Sequence, residues 1–219
     1  MGEFRIAALA GMAVLAGALT MLAGLIAAPG PWLDGYVSEA GTAGMPLTGA
    51  YRLGLVFLAF GVAVLGRALH PASRPVAVLL GLAAVLAGTS GAVPCTGGCP
   101  LPPFEPTTLS DVAHTAASIL GMVALAGAMA AVALSAVFGT VLRRLAGVAT
   151  ALIVPLGGAL GLTMLFAGRG ELGALLERGA LVVAVAWLIG TAIVLAIGRG
   201  PDHDRGTAPA RDPATSGRG

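Results

Sequence analysis

Residues Gly179–Gly198 read GALVVAVAWLIGTAIVLAIG, a stretch without a single charged side chain. A bilayer core about 30 Å thick is crossed by roughly 20 such residues in a helix that rises 1.5 Å per residue. Five further apolar runs precede it: Ile6–Ala28, Leu53–Leu69, Pro75–Pro94, Val112–Phe138 and Leu145–Gly168. The second run reaches a spanning length when the three residues before it, Ala50 to Arg52, are added. The sequence therefore predicts six transmembrane helices.

These runs also set the fold class and the domain organisation. With 57% hydrophobic residues in 219, the chain has no room for a separate soluble domain. We predict an all-α, polytopic membrane bundle over residues 1–198, a multi-pass protein of the cell membrane whose surroundings are the lipid bilayer. Residues 199–219 hold too few apolar side chains to form a core and are predicted to be a disordered cytoplasmic tail. The first run exceeds the roughly 7–15 apolar residues of a signal peptide, so we expect it to be retained.

The basic residues predict the orientation of the bundle. Short cytoplasmic loops are enriched in Lys and Arg, and all twelve basic residues of this chain are arginine. With both termini in the cytoplasm, nine of them fall inside: Arg5, Arg67, Arg74, Arg143, Arg144, Arg199, Arg205, Arg211 and Arg218. Only Arg52, Arg169 and Arg178 then lie outside. The asymmetry favours an N-in, C-in topology, which reporter fusions in the two kinds of loop would check.

Several function classes lack their sequence motifs. The chain has no Walker loop, no Gly-x-Ser-x-Gly and no His-Glu-x-x-His. A nucleic-acid partner is not expected, because no basic patch interleaved with aromatic residues is present. No charged residue lies near the centre of an apolar run, where coupled transporters carry their ions. The cofactor, if there is one, and any protein partner cannot be read from the sequence.

The two cysteines lie in the predicted outer loop between the third and fourth spans. Cys95-Thr-Gly-Gly-Cys99 can close on itself because two glycines relax the turn. An outward location permits oxidation, so we predict a small disulfide. A reactive redox pair is the alternative. Two thiols alone cannot complete a tetrahedral metal site, and no metal is predicted there.

A polar stripe opens the fourth span. Asp111, His114, Thr115 and Ser118 follow one another at i, i+3, i+4 and i+7, which places them on one helical face. Facing lipid would be costly, so we expect the stripe to face the bundle or a wet cavity. Asp111 and His114 are candidate catalytic residues, because an aspartate can orient an imidazole as a general base, a metal ligand or a proton relay. The structural alternative is that Asp111 only caps the helix, with Thr108 as its N-cap.

Other polar residues collect at the same predicted face. Ser38 and Glu39 lie in the first outer loop, Arg52 at the mouth of the second span, and Glu177 with Arg178 before the sixth. With Thr115 and Ser118 they are candidate substrate-binding residues. Each also has a structural explanation, as a solvated loop acid or a member of an interfacial salt bridge.

The fifth span carries two further patterns. Gly157-x-x-x-Gly161 matches the close-packing motif of membrane helices, although glycine is so common here that such spacings arise by chance. Pro155 in the same run predicts a kink or local unwinding.

Three stretches together resemble a known family. They are Ser38-Glu39-Ala40-Gly41, the segment from Val93-Pro94-Cys95-Thr96 through Cys99-Pro100 to Asp111-Val-Ala-His114, and Glu177-Arg178. In this order they resemble the bacterial domain of unknown function 998 family, over nearly the whole chain before the tail. The resemblance implies an integral membrane protein with six helices, and it implies that Glu39, Asp111 and His114 belong together. It supplies no activity.

Two functions fit these residues. The first is a membrane protein without enzymatic activity, whose outward-facing polar pocket binds or transports a lipid headgroup or small molecule. The absence of a complete catalytic motif favours it. The second is a membrane-embedded hydrolase or transferase, in which Asp111 and His114 activate water, either directly or through a metal, with assistance from Glu39.

Overall fold

The computed structural model describes residues 2–30, 33, 35–100 and 104–198, and within them it is all-helical. Six long helices follow one another: α1 (Gly2–Ala27), α2 (Thr48–Leu69), α3 (Arg74–Ala92), α4 (Leu109–Leu134), α5 (Thr140–Phe166) and α6 (Glu171–Ile197). All six are long and apolar enough to cross a membrane. The chain is therefore a multi-pass membrane protein, as the apolar runs predicted. The predicted tail and the outer-loop residues Trp32 and Asp34 lie outside the described residues.

The helices form a closed ring. Each packs against its neighbours in sequence, and α6 returns to pack against α1. Tight turns over 70–73 and 135–139 lie at one end of the bundle, which we call the closed half. The connections 28–47, 93–108 and 167–170 lie at the other end, which we call the open half. The arginine count predicts that the open half faces outward, and this orientation stays a prediction.

Glycines let α1 and α2 approach closely. A Cβ added to Gly17 would lie 2.6 Å from the carbonyl oxygen of Gly54, and one added to Gly61 would lie 2.8 Å from the amide nitrogen of Val14. Lipid tails are as apolar as the helix surfaces, so membrane helices associate through such close packing rather than through hydrophobic burial. The contact between α1 and α2 is therefore a closely packed part of the ring.

The glycine motif of α5 does not serve such a contact. An added Cβ at Gly157 or Gly161 would meet no atom within 4 Å. The match to the close-packing motif is therefore one of the chance spacings expected in so glycine-rich a chain, because spacing alone cannot distinguish a packed glycine from one beside open space. Of the kink or local unwinding predicted at Pro155, the unwinding is absent, since α5 is continuous from Thr140 to Phe166.

Several helices begin earlier in the sequence than the apolar runs that predicted them. The largest difference is in α6, which begins at Glu171 rather than Gly179, so Glu177 and Arg178 lie within the helix and not before it. A helix of 27 residues spans about 40 Å, enough to continue from the hydrocarbon core into the polar headgroup layer. Apolar content therefore locates the core of a span and misses its polar first turns.

A short 3-10 helix over Val37–Gly41, the loop helix, lies between α1 and α2 in the open half. Its first turn is fixed by Glu39, whose carboxylate accepts the backbone N–H of Tyr36 at 2.9 Å. Val37 and Ala40 are buried and pack beside Met21 and Tyr51. The loop helix thus covers the end of the ring in the open half.

Candidate ligand-binding cavity

The ring encloses a cavity of about 470 Å³, lined by residues of all six helices and the loop helix. Its lining on α6 extends from Glu177 to Leu188, a depth of about 16 Å at 1.5 Å per residue. Pockets that bind small molecules typically have volumes of about 300–1,000 Å³. The cavity is therefore large enough for a ligand, and it reaches from the open half toward the middle of the bundle.

Polar and apolar residues are segregated along this cavity. Polar side chains belong to its open-half end, and most of the remaining wall is apolar. The polar lining residues are Ser38, Tyr51, Ser90, His114, Ser118 and Glu177. The apolar wall continues toward the closed half along residues such as Leu125, Ile153 and Leu188. Such a lining suits a ligand with one polar end.

The cavity is exposed on one side, between the outer parts of α4 and α5. Five of its described lining residues are exposed, and all belong to these two helices: Ser118, Ile119, Val123, Val154 and Gly158. The buried residues of α5 end at Ile153. In its remaining turns Gly157 and Gly161 line the cavity, and a Cβ added to either would meet no atom within 4 Å. The wall is thus open toward the surrounding lipid in the open half.

His114 provides the best-defined polar group of the lining. Its side chain is buried, with 5% of its surface exposed. Nδ1 lies 2.9 Å from the carbonyl oxygen of Val93 and 3.0 Å from that of Ser90, just at the end of α3. Carbonyl oxygens only accept, so Nδ1 carries the proton, and in a neutral imidazole Nε2 then has a free lone pair. Nε2 has no hydrogen-bond partner among the described residues.

Two serines complete the surroundings of the imidazole. The Ser118 hydroxyl donates to the carbonyl oxygen of His114 at 2.9 Å. The Ser90 Oγ lies 2.9 Å from the Ser118 Oγ. Since the Ser118 proton is already donated, Ser90 is the donor of this pair. Ser90 is a residue that the sequence analysis missed, and the adjacent hydroxyl residues Thr89 and Ser90 within the apolar third run were the signal that could have found it.

Asp111 is buried and held by threonines rather than by His114. One carboxylate oxygen accepts the N–H of Thr96 at 2.6 Å, and the other accepts the N–H of Thr108 at 2.7 Å. Both threonine hydroxyls donate to the carboxylate as well. Thr108 caps α4 in return, with its hydroxyl oxygen accepting the N–H of Asp111. None of the described hydrogen bonds joins Asp111 to His114, so carbonyl groups rather than this carboxylate orient the imidazole.

Cys95 and Cys99 form a disulfide, as predicted. Thr96, the partner of Asp111, lies within this small loop. Both cysteines are buried, and their sulfurs and one imidazole nitrogen of His114 lie within 4.8 Å of one another. These three residues have the identities and spacing of a metal site. However, metals bind the thiolate form of cysteine, which the disulfide does not offer.

Glu177 joins the cavity wall to the loop helix. Its Oε2 accepts the N–H of Val37 at 2.6 Å. The next residue, Arg178, donates from Nη1 to the carbonyl oxygens of Gly35 and Ala174. α6 therefore holds the start of the loop helix through Glu177 and the segment just before it through Arg178. Of this pair only Glu177 lines the cavity.

Glu39 belongs to a separate surface cluster. Its carboxylate pairs with Arg169, whose other terminal nitrogen lies 3.6 Å from Glu105. Burial alone would lower the pKa of Arg169, but Glu39 and Glu105 raise it above its ordinary value. Burial also raises the pKa of Tyr36, and the charge of Glu177 raises it further. Glu39 is not among the described lining residues, and the sequence analysis had not connected it with Arg169.

The remaining candidate residues have mainly structural contacts. Arg52 donates to the carbonyl oxygens of Gly91 and Ala92 at 3.0 Å each, and so caps the C-terminus of α3. A cation there also suits the negative end of the helix dipole. Thr115 is half-buried and is not among the described lining residues. The structure thus brings Ser38, His114, Ser118 and Glu177 to one cavity, and leaves Glu39, Arg52, Thr115 and Arg178 outside its lining.

Comparison with known proteins identifies the family. A family model described as protein of unknown function (DUF998) matches residues 8–194, which is most of the chain. The chain therefore belongs to this family, as its motifs had indicated. No curated protein and no solved structure matches it.

Proposed function

For this member of an uncharacterised membrane family, we propose that the internal cavity binds an amphiphile. The apolar chain of the ligand occupies the part of the cavity that extends toward the closed half. Its polar headgroup lies at the open-half end, beside His114 and Glu177. This proposal makes the cavity, rather than a catalytic motif, the functional part of the chain.

The observation that carries the proposal is the buried Nε2 of His114. A buried polar atom without a partner costs free energy, about 1–3 kcal/mol. Nδ1 is anchored to Val93, and Nε2 belongs to a side chain that lines the cavity. Nε2 has almost no exposed surface, so a headgroup that displaces the side chains covering it and donates a hydrogen bond to it would remove this cost. A ligand whose polar end lies beside His114 would therefore bind more tightly than one without a polar end.

The exposed wall between α4 and α5 supports entry from the bilayer. An amphiphile in the membrane already has its headgroup at the interface and its chain in the core. Passing sideways through this opening keeps both parts at the same depth. With the arginine-based orientation, the ligand would come from the outer leaflet.

A membrane-embedded hydrolase or transferase is the second candidate. The observation that favours it is the tautomer of His114, because an imidazole held through Nδ1–H offers Nε2 as a general base. Asp111 would then act at a distance, by fixing the start of α4, and Glu39 would act through the loop helix. Turnover of a bound amphiphile, lost in His114→Ala, would distinguish this candidate from simple binding.

Two substitutions on the same helix test the proposed binding. Gly157→Leu adds a side chain to the cavity lining, whereas Gly147→Leu adds the same side chain at a position outside the described lining. An added Cβ at either position meets no atom within 4 Å, so both variants are expected to fold. The measurement is saturable binding of radiolabelled dodecanol to the protein in phosphatidylcholine nanodiscs.

We expect Gly157→Leu to weaken this binding about tenfold. The added side chain and the bound ligand together would overfill the cavity, and overfilling costs about 1–3 kcal/mol. Gly147→Leu should bind as the wild type does. Equal binding by all three proteins, or no saturable binding by the wild type, would contradict the proposal.

A further inference from the structure

The groups at the polar end of the cavity indicate which headgroup it accepts. We propose that the ligand carries a protonated amine, which donates hydrogen bonds to His114 and pairs with Glu177. This inference rests on the proposed amphiphile site and names the chemical class of its ligand. The assignment follows from the hydrogen bonds of the lining groups around His114: their own protons are already donated to protein atoms, so they can only accept from a ligand.

The His114 cluster offers acceptors to a ligand. Nδ1–H is donated to the carbonyl oxygens at the end of α3, so the neutral ring presents the lone pair of Nε2. The Ser118 proton is donated to the carbonyl oxygen of His114, and the Ser90 proton to Ser118. Their remaining lone pairs can only accept. A headgroup beside this cluster must therefore bring the donors itself.

Glu177 adds an acid to the same end. Its Oε2 accepts the Val37 N–H. The hydroxyls of Ser38 and Tyr51 also line this end, and they can donate or accept. An ammonium group, with three donors and no acceptor, complements such a set better than a phosphate or carboxylate does.

The nearby cations are held outside the cavity. No arginine is among its described lining residues. Arg52 donates to the carbonyl oxygens at the end of α3, and Arg169 pairs with Glu39 and Glu105. Arg178 donates to Gly35 and Ala174. An anionic headgroup would thus enter without a countercharge in the lining, and burying an unpaired charge is costly.

Three amphiphiles with the same chain test the headgroup. Dodecylamine, dodecanol and dodecanoate compete for the site in phosphatidylcholine nanodiscs, and protein-free nanodiscs provide the blank for partitioning into the lipid. We expect dodecylamine to bind about tenfold more tightly than dodecanol, because hydrogen bonds to charged groups are stronger than neutral ones. Dodecanoate should bind most weakly.

Glu177→Gln and Glu39→Gln form a matched pair of variants. Each changes a carboxylate that accepts a backbone N–H of the loop region, but only Glu177 lines the cavity. Glu177→Gln should reduce the preference for amine over alcohol at least about threefold while dodecanol binding persists. Glu39→Gln should leave the preference unchanged.

The outcomes separate this inference from the proposed function. Equal affinity for the three amphiphiles, or a preference for dodecanoate, would overturn the amine assignment and leave the amphiphile site standing. An unchanged preference in Glu177→Gln would do the same. Failure of all three compounds to bind the wild type above the blank of protein-free nanodiscs would overturn both.

Discussion

The closed and open halves of the ring are built from similar residues but packed differently. In the closed half, α4 and α5 meet along small and medium side chains such as Ala128, Met129, Val132 and Ala146, all fully buried. In the open half, the same two helices part, and α5 has no buried residue beyond Ile153. Membrane helices associate by fitting surfaces closely, so the loss of that fit leaves a cavity.

The polar residues follow the same division. Arg52, Asp111 and His114 all contact the loops or helix ends of the open half. Their contacts satisfy the carbonyl and amide groups that α3 and α4 leave without partners at their ends. The comparison shows that the closed half is held by packing, and that the open half is held by hydrogen bonds around a space.

The first prediction contrasts one substitution in the two halves. Met129→Ala removes a side chain that is fully buried in the closed half, and should lower the free energy of unfolding by about 2–5 kcal/mol. Met164→Ala removes a half-buried side chain from the cavity wall and should cost clearly less, because removing a partly exposed side chain creates a smaller new void. Thermal unfolding in detergent measures both. Equal losses would mean that the open half is as tightly packed as the closed one.

The sequence predicted the closed half well and the open half only in part. Six apolar runs fix the number of spans, because each must cross the bilayer with its backbone bonded internally. The sequence does not indicate which faces of α4 and α5 meet, because alanine, glycine, leucine and valine occur on every face of these helices. The spacing of Gly157 and Gly161 accordingly could not distinguish a helix contact from the empty space that lies there.

The candidate site was predicted in composition more than in geometry. His114 and Ser118 were found from their helical spacing, and the cap at Asp111 from its motif. Glu39 was grouped with them, yet it pairs with Arg169, more than a hundred residues away in sequence. Such long-range partners depend on how the loops fold over the ring, and no local pattern encodes that.

The second prediction concerns Asp111, at which two substitutions distinguish a role in capping α4 from a direct role at the ligand site. Asp111→Ala leaves the amides of Thr96 and Thr108 without their acceptor and should lower the free energy of unfolding by about 3 kcal/mol. Asp111→Asn retains an oxygen acceptor and should cost less than half of that. Dodecanol binding per folded molecule should survive in Asp111→Asn, because Asp111 is not among the described lining residues. Loss of binding without loss of stability would instead give Asp111 a direct role at the site.

The last and smallest effect is expected from the disulfide of the open half. Cys95 and Cys99 close a loop of five residues, and the chain-entropy relation assigns so short a loop roughly 2 kcal/mol at most. The double substitution to serine should therefore shift the unfolding temperature less than Asp111→Ala does, since Asp111 still holds Thr96. Alkylation before and after reduction reports whether the bond is present in cells, and full labelling without reductant would count against it. If the serine variant instead unfolds as readily as Met129→Ala, the open half depends on this covalent closure, and its hydrogen bonds alone do not hold it.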